Sequence, residues 1–369
     1  MDKREKQKRT KTTRRVITAC ILLSVSVGIQ ILTSAIPGIA EWYAEHVYQI
    51  LVSVFGRFFG FFPFSVTEIC LYLLLLILVV SLVHIIVRMI RKDNRKCTVI
   101  RYLSRLLLVG SVLMFLYTVN CGVNYKRDSF SEKAGIFACG GTVEELEEVC
   151  IRLTEEVNAC SALVTRNAAG EMALQPGEGA DAVSAMQKLS EKYPMLEGYY
   201  PQPKRLLVSE LLSYQGLTGV YSPFTLEANY NSDMPDYNIP FTACHELSHL
   251  RGFMQEDEAN FIAFLACSSS ESIDFQYSGY LMGWIYSMNE LSSADAVRWR
   301  AVRSRLEPEA EEDLSANSTF WNAYDGRTAK LSNQINDLYL KANGQADGVQ
   351  SYNRMVDLII AHYRDTQDG

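Results

Sequence analysis

The chain has 369 residues, 48% of them apolar, and a formal charge of −7, a length that holds one large domain or two. The modest overall charge hides a segregation: 16 Lys and Arg stand against 6 acids before residue 121, leaving 19 against 36, or −17, for the rest. A back half that acidic excludes nucleic acid as a partner and does not lie flat on anionic lipid, whereas proteins, peptides and cations suit it.

The first fifteen residues, MDKREKQKRTKTTRR, form a basic tail. Residues 16–36 (VITACILLSVSVGIQILTSAI) follow as an uncharged apolar run, and 66–87 (VTEICLYLLLLILVVSLVHIIV) as a second carrying one acid. A third, 106–119 (LLLVGSVLMFLYTV), reaches full length through Arg101 and Arg105, whose aliphatic stems can lie along apolar surface. About 20 apolar residues cross roughly 30 Å of hydrocarbon, so three membrane spans are predicted within 16–120. The first is longer than the roughly 7–15 residues of a secretory signal core and reads as a signal anchor. Between spans one and two, the aromatic-rich segment 37–63 reads as an interfacial amphipathic helix ending in a proline turn, with His46 there and His84 near a span end as interfacial residues.

Lysine and arginine set the orientation. The tail and the loop bearing Arg88, Arg91, Lys92, Arg95 and Lys96 are basic, while 37–65 holds only Arg57. The amino terminus is therefore expected in the cytoplasm and residues 121–369 outside it, in a multi-pass protein of the cell membrane.

That outer domain opens with a capping box, Thr142 followed by Glu145, ahead of a helical pattern. The stretch NAAGEMALQPGEGAD reads as a loop, and DAVSAMQKLSEKYP as a helix stopped by Pro194. Residues 204–214 (KRLLVSELLSY) and 219–231 (GVYSPFTLEANYN) read as short strands, Pro223 confining the latter to an edge. From Phe241 onward the patterns are helical, so the expected fold class is α+β, mostly helix. Cys121, Cys139, Cys150, Cys160, Cys244 and Cys267 fit neither a disulfide framework nor a CxxC zinc pattern.

Chemistry concentrates in HELSH, residues 245–249, within a chain of five histidines. On a helix His245 and His249 lie one turn apart on one face, so both imidazoles reach a single ion. Glu246 flanks that face and can take a proton from a water beside the ion, the arrangement of a hydrolase. Catalytic zinc takes three protein ligands and keeps a position open. Since His362 is the other histidine of the outer domain, a carboxylate from HELSHLRGFMQEDEANFIAFLAC is the natural third ligand. Gly252 can end the first helix and turn the chain back. Glu256 is favoured over Asp257 and Glu258 because Asn260, four residues on, shares its face and can orient a histidine; Glu258 is held in reserve. An edge strand at 219–231 would suit β-addition of an extended peptide, and Tyr277 or Tyr280 in FQYSGYL would suit polarisation of a developing oxyanion.

HExxH followed by a glutamate on the next helix resembles the gluzincin branch of zinc metallopeptidases, and EDEAN is similar to the acidic segment of membrane-anchored prenyl-protein and heat-shock peptidases. YSPFTLEANYN, IPFTACHELSHLRGF, EDEANFIAFLAC and FQYSGYL behind three spans resemble the bacterial membrane family called domain of unknown function 3810. The resemblance covers nearly the whole chain and implies a zincin-like domain with His245, His249 and Glu256 as Zn2+ ligands and Glu246 as base. Two features depart from the peptidases: six residues separate His249 from Glu256, and Asn260 stands where an aspartate is common.

The resulting expectation is a membrane-anchored zinc metallopeptidase acting on peptide or protein substrates outside the cytoplasm. The alternative is a non-enzymatic sensor or assembly factor with a structural metal or ligand site; an intact Glu246 favours the enzyme. A transporter is disfavoured, because the spans carry scarcely any charge to line a pathway.

Overall fold

Three helices, Thr10–Ala35, Val66–Ile90 and Arg95–Lys126, are long and apolar enough to cross a membrane. The computed structural model describes residues 3–91, 95–138, 140–345 and 354–367; Lys92, Cys139 and positions 349–353 of the last expected helix lie outside the described residues. Along Val66–Ile90 the neighbours Leu75, Leu76 and Ile77 are all at least half exposed. Three successive apolar residues cannot share one core-facing stripe, so this helix is built for an apolar surrounding on every side.

The chain divides into two units, one comprising Met1–Tyr48, Val66–Arg127 and Pro223–Thr225, the other Gln49–Ser65, Asp128–Ser222 and Leu226–Gly369. In the first, the initial apolar helix packs on Arg95–Tyr117. Arg127 pairs with Glu41 at 2.9 Å and Tyr43 donates to the Val119 carbonyl at 2.9 Å. The 223–225 turn belongs here through two bonds: Asn120 Nδ2 donates to the Pro223 carbonyl at 2.6 Å, and the Thr67 and Thr225 hydroxyls pair.

The expected interfacial segment 37–63 is thus divided at Tyr48. Its helix Gln49–Gly60 belongs to the second unit, where Gly56 and Gly60 let it approach Tyr199 and Pro201 so closely that a Cβ would stand 3.4 Å from Tyr199 at the first and 3.3 Å from Pro201 at the second. The Arg57 guanidinium lies over the Tyr199 ring, 4.2 Å from its centre. The buried Lys204 ammonium then donates to the carbonyls of Phe59 at 2.8 Å and Phe64 at 3.1 Å and to Glu227 Oε1 at 2.6 Å. Three acceptors satisfy all three donors of that amine.

The second unit is mostly helical with a three-stranded sheet in the order β1-β3-β2. Strand β1 (Lys204–Arg205) runs parallel to β3 (Glu227–Tyr230), and β2 (Gly219–Ser222) runs antiparallel to β3, Val220 opposite Asn229. Two strand expectations need correction. Residues 204–214 are strand for two positions only, then turn into the short helix Glu210–Ser213, since the leucines of LLVSELLS recur at helical spacing. The stretch 219–231 is a hairpin, folded where Pro223 cannot donate and Leu226 takes φ +53°. Of the two hairpin strands β2 is an edge, as β1 is on the other side; β3 lies in the middle, every side chain buried.

The capping box at Thr142 forms, its hydroxyl accepting from the Glu145 N–H and Glu145 accepting from the Thr142 N–H. The helix Val143–Ser161 that it starts packs along Ile273–Ala294. That long helix in turn supports the pair Asn238–Leu250 and Glu256–Ser268, in which nearly every residue is buried.

Candidate metal centre

HELSH lies in the last two turns of Asn238–Leu250. Gly252 ends this helix at φ +95°, its N–H bonded to the His249 carbonyl at 2.9 Å, and the Phe253 N–H bonds to the Ser248 carbonyl at 3.2 Å. A left-handed residue is natural for glycine there. The reversal starts the next helix at Glu256, within reach of both imidazoles.

His245 Nε2 lies 3.3 Å from Glu256 Oε2, and His249 Nε2 lies 3.7 Å from Glu256 Oε1. The ligand atoms of His245, His249 and Glu256 all fall within 4.8 Å of one another, the one such group of three among the described residues. A tetrahedral ion with bonds of about 2.1 Å separates neighbouring ligands by roughly 3.4 Å, so two imidazoles and a carboxylate at these distances fit it. His249 Nδ1 donates to the Phe253 carbonyl at 2.8 Å, which leaves Nε2 as the lone-pair nitrogen facing Glu256. His245 Nδ1 is buried without a hydrogen-bond partner, as is Glu246 Oε2.

Electrostatics match the geometry. Burial opposes the charge on Glu256, but the facing His249 and His245 rings prevail and hold its carboxyl well below the usual range. His249 moves the other way: burial disfavours its cation, yet the Glu256 charge lifts the imidazole to about 9. Glu246, buried and beside Glu256, is pushed up to about 7 against the pull of the two imidazoles. A carboxylate in that range both holds and releases a proton near neutral pH.

Strand β2 bears directly on Glu246. The Tyr221 N–H donates to its carboxylate, and the Tyr221 ring centre lies 6.5 Å from that of His249. Gly219 permits this approach, because a Cβ there would stand 2.5 Å from Glu246 Oε1 and 2.7 Å from the Thr242 methyl. Gly219→Ala is therefore expected to lower stability by about 1–3 kcal/mol through overpacking and to displace β2 from Glu246. Thermal unfolding of the purified chain checks this; an unchanged midpoint would mean that the strand shifts freely.

The remaining expected residues fall elsewhere. Glu258, the reserve ligand, accepts from Ser131 N–H at 2.9 Å and from Ser131 Oγ at 2.5 Å, and Asp257 faces Arg354 at 3.6 Å. Asn260 is buried but bonds neither histidine, its Nδ2 unpartnered; the Phe253 carbonyl orients His249 instead. Tyr277 is wholly buried and gives its hydroxyl to Asp313 at 2.5 Å, and Tyr280 reaches only the Ser268 carbonyl at 3.5 Å. Neither is placed to polarise a carbonyl at the cluster. The tyrosine that senses Glu256 is Tyr286, pushed up to about 12 by burial and then by the Glu256 charge. It lies nine residues after Tyr277 and so on the opposite side of the same helix, at 100° per residue.

These features define a helical protein with three bilayer-length apolar helices and a partly buried His-His-Glu cluster able to hold a metal ion. The chain belongs to the family described as protein of unknown function (DUF3810), which matches residues 43–360. No curated protein and no solved structure matches it.

Proposed function

We propose that this protein is a membrane-anchored zinc metallopeptidase that hydrolyses peptide bonds outside the cytoplasm. The observation that carries the reading is the juxtaposition of three convergent ligand groups with a fourth group, Glu246, that is buried beside them and raised toward neutrality. Zinc supplies the Lewis acid that lowers the pKa of a water toward about 7 and polarises the scissile carbonyl. Glu246 takes the proton of the attacking water and delivers it to the leaving amine. An extended substrate adds to β2, whose outer edge turns the Tyr221 backbone toward Glu246. Asn260 supports the ligand helix from within its buried face.

The basic tail and the basic loop between the second and third apolar helices support three spans with the amino terminus inside and the catalytic unit outside. The choice of an enzyme over a structural metal site rests on the ligand count. Among the described residues the cluster offers three ligands, and a purely structural zinc takes four.

The test is metal analysis joined to turnover. Purified full-length protein is expected to carry about one zinc per chain and to cleave unfolded polypeptide until a chelator removes the metal, with recovery on adding zinc back. Bound zinc with four protein ligands and no cleavage of any peptide would instead identify the structural site of a sensor or assembly factor.

Proton linkage supplies a second expectation. His249 is protonated below about 9 in the metal-free site, and a ligating imidazole must be neutral at Nε2. Glu256 stays anionic throughout, so binding the cation releases the His249 proton. Apparent zinc affinity should fall about tenfold for each unit the pH drops below 9. Competition titrations from pH 6.5 to 9 read this directly, and a flat profile would contradict it.

A further inference from the structure

The second unit carries exposed apolar side chains in a stretch with no part in the cluster. After β1, Leu206 to Leu217 (LLVSELLSYQGL) contains a single charged residue, Glu210, within a domain dominated by acids. Leu207, Val208 and Leu211 are 62%, 42% and 49% exposed. An aqueous surface has no use for three such residues side by side, so something apolar covers them.

Connectivity within the same unit identifies the cover. Lys204, three residues before Leu207, is fixed to the carbonyls of Phe59 and Phe64. Phe64 is two residues before Val66, where the most apolar of the three bilayer-length helices begins. The stretch after β1 is thus fastened within its own unit to the carbonyls of residues 59 and 64, and the chain runs on from residue 64 into that helix after one further residue. The helix Gln49–Gly60 and the turn after it have the same chemistry, Phe58 and Phe61 being 61% and 85% exposed. Aromatic residues in this position are those of a membrane interface.

We propose that Leu207, Val208 and Leu211 dip into the lipid interface beside Phe58 and Phe61, forming a second lipid contact of the catalytic unit. The proposal rests on the reading of Val66–Ile90 as a membrane span. Lipid meets the chemical requirement without charge: apolar side chains are taken up by the acyl boundary of zwitterionic and anionic bilayers alike, whereas an acidic domain gains nothing from anionic headgroups. Because β1 and β2 flank β3 in one sheet, the contact also orients the substrate-bearing edge with respect to the bilayer. The matching substrate class is polypeptide held at the membrane: the juxtamembrane segment of a membrane protein, or a chain retained after translocation.

Full-length protein reconstituted in liposomes containing a lipid with a photoactivatable acyl chain tests this. Illumination followed by peptide mapping is expected to place adducts on the 206–217 peptide and on 49–64. The peptide around Val297, a residue 73% exposed on a different helix, should stay at background. Replacing Leu207, Val208 and Leu211 together by serine should abolish the 206–217 adducts and leave those on 49–64, and substituting zwitterionic for anionic lipid should change neither. Adducts on 49–64 and on the apolar helices but none on 206–217 would overturn the contact while leaving the membrane reading intact. Absence of adducts throughout would overturn both. Labelling of 206–217 that survives the serine variant would assign it to neighbouring residues and also overturn the proposal.

Discussion

Glu246→Gln is expected to leave zinc bound and to cut peptide hydrolysis by roughly 10²- to 10⁴-fold, the range contributed by a positioned general base. Glutamine keeps the volume and a carbonyl oxygen to accept the Tyr221 N–H, so the edge strand stays where it is. What it loses is the ability to accept a proton. His245, His249 and Glu256 are untouched, and metal content should match that of the parent chain. Two readouts separate the outcomes: zinc per chain on purified protein, and release of secreted or surface peptides from cells carrying either form. Cleavage at the parental rate by the glutamine variant would remove Glu246 from the mechanism. Loss of zinc would show instead that Glu246 holds the site together.

The largest effect on stability is expected at Lys204. Its ammonium is buried against Glu227, itself only 2% exposed, at 2.6 Å. Lys204→Ala takes the counter-charge from that carboxylate and the donor from the Phe59 and Phe64 carbonyls. Removing one partner of a buried pair costs about 3–5 kcal/mol. For a unit of this size that lowers the apparent unfolding midpoint on the order of 10 °C. The pair as a whole contributes far less, because both charges were desolvated to make it. Lys204→Met combined with Glu227→Leu should recover the part of the loss that comes from the buried carboxylate, while the two carbonyls still lack their donor. Thermal scans of the single and paired variants measure this, and a Lys204→Ala midpoint within about a degree of the parent would show that water replaces the ammonium.

How far the sequence discloses the site depends on the range of the interaction. Helical spacing dictates that His245 and His249 share a face, and Gly252 dictates a turn, so the neighbourhood of Glu256 follows from local rules. The second partners do not. Phe253 serves His249 through its backbone carbonyl, which any residue could provide, and Asn260 therefore looked the better orienter on side-chain chemistry alone. Tyr277 falls in a distinctive segment, yet its hydroxyl meets Asp313, 36 positions away, while the tyrosine on which the Glu256 charge acts is Tyr286, on the reverse of that helix. Only the packing of the long helix decides between them. The hairpin was not legible: β-branched and aromatic residues on both sides of Pro223 mark extended chain, the proline reads equally as an edge residue, and nothing local says that the chain folds back on itself. The three bilayer-length helices were the most legible elements, since their signal is composition over twenty residues and needs no tertiary information.

The interleaving of the two units has a consequence for how the protein can be made. A fragment beginning at residue 121 or 128 would contain the cluster but lack 49–65, and with it the two carbonyls that receive Lys204 and the helix that covers Tyr199 and Pro201. During synthesis those early residues wait for a partner 145 positions downstream, so the sheet closes late and the nascent unit is incomplete for most of translation. Soluble truncations are thus the wrong starting material. A chain retaining 49–65, supplied covalently or as a separate co-expressed peptide, keeps the acceptors of Lys204 and the helix over Tyr199 and Pro201 that those fragments lack.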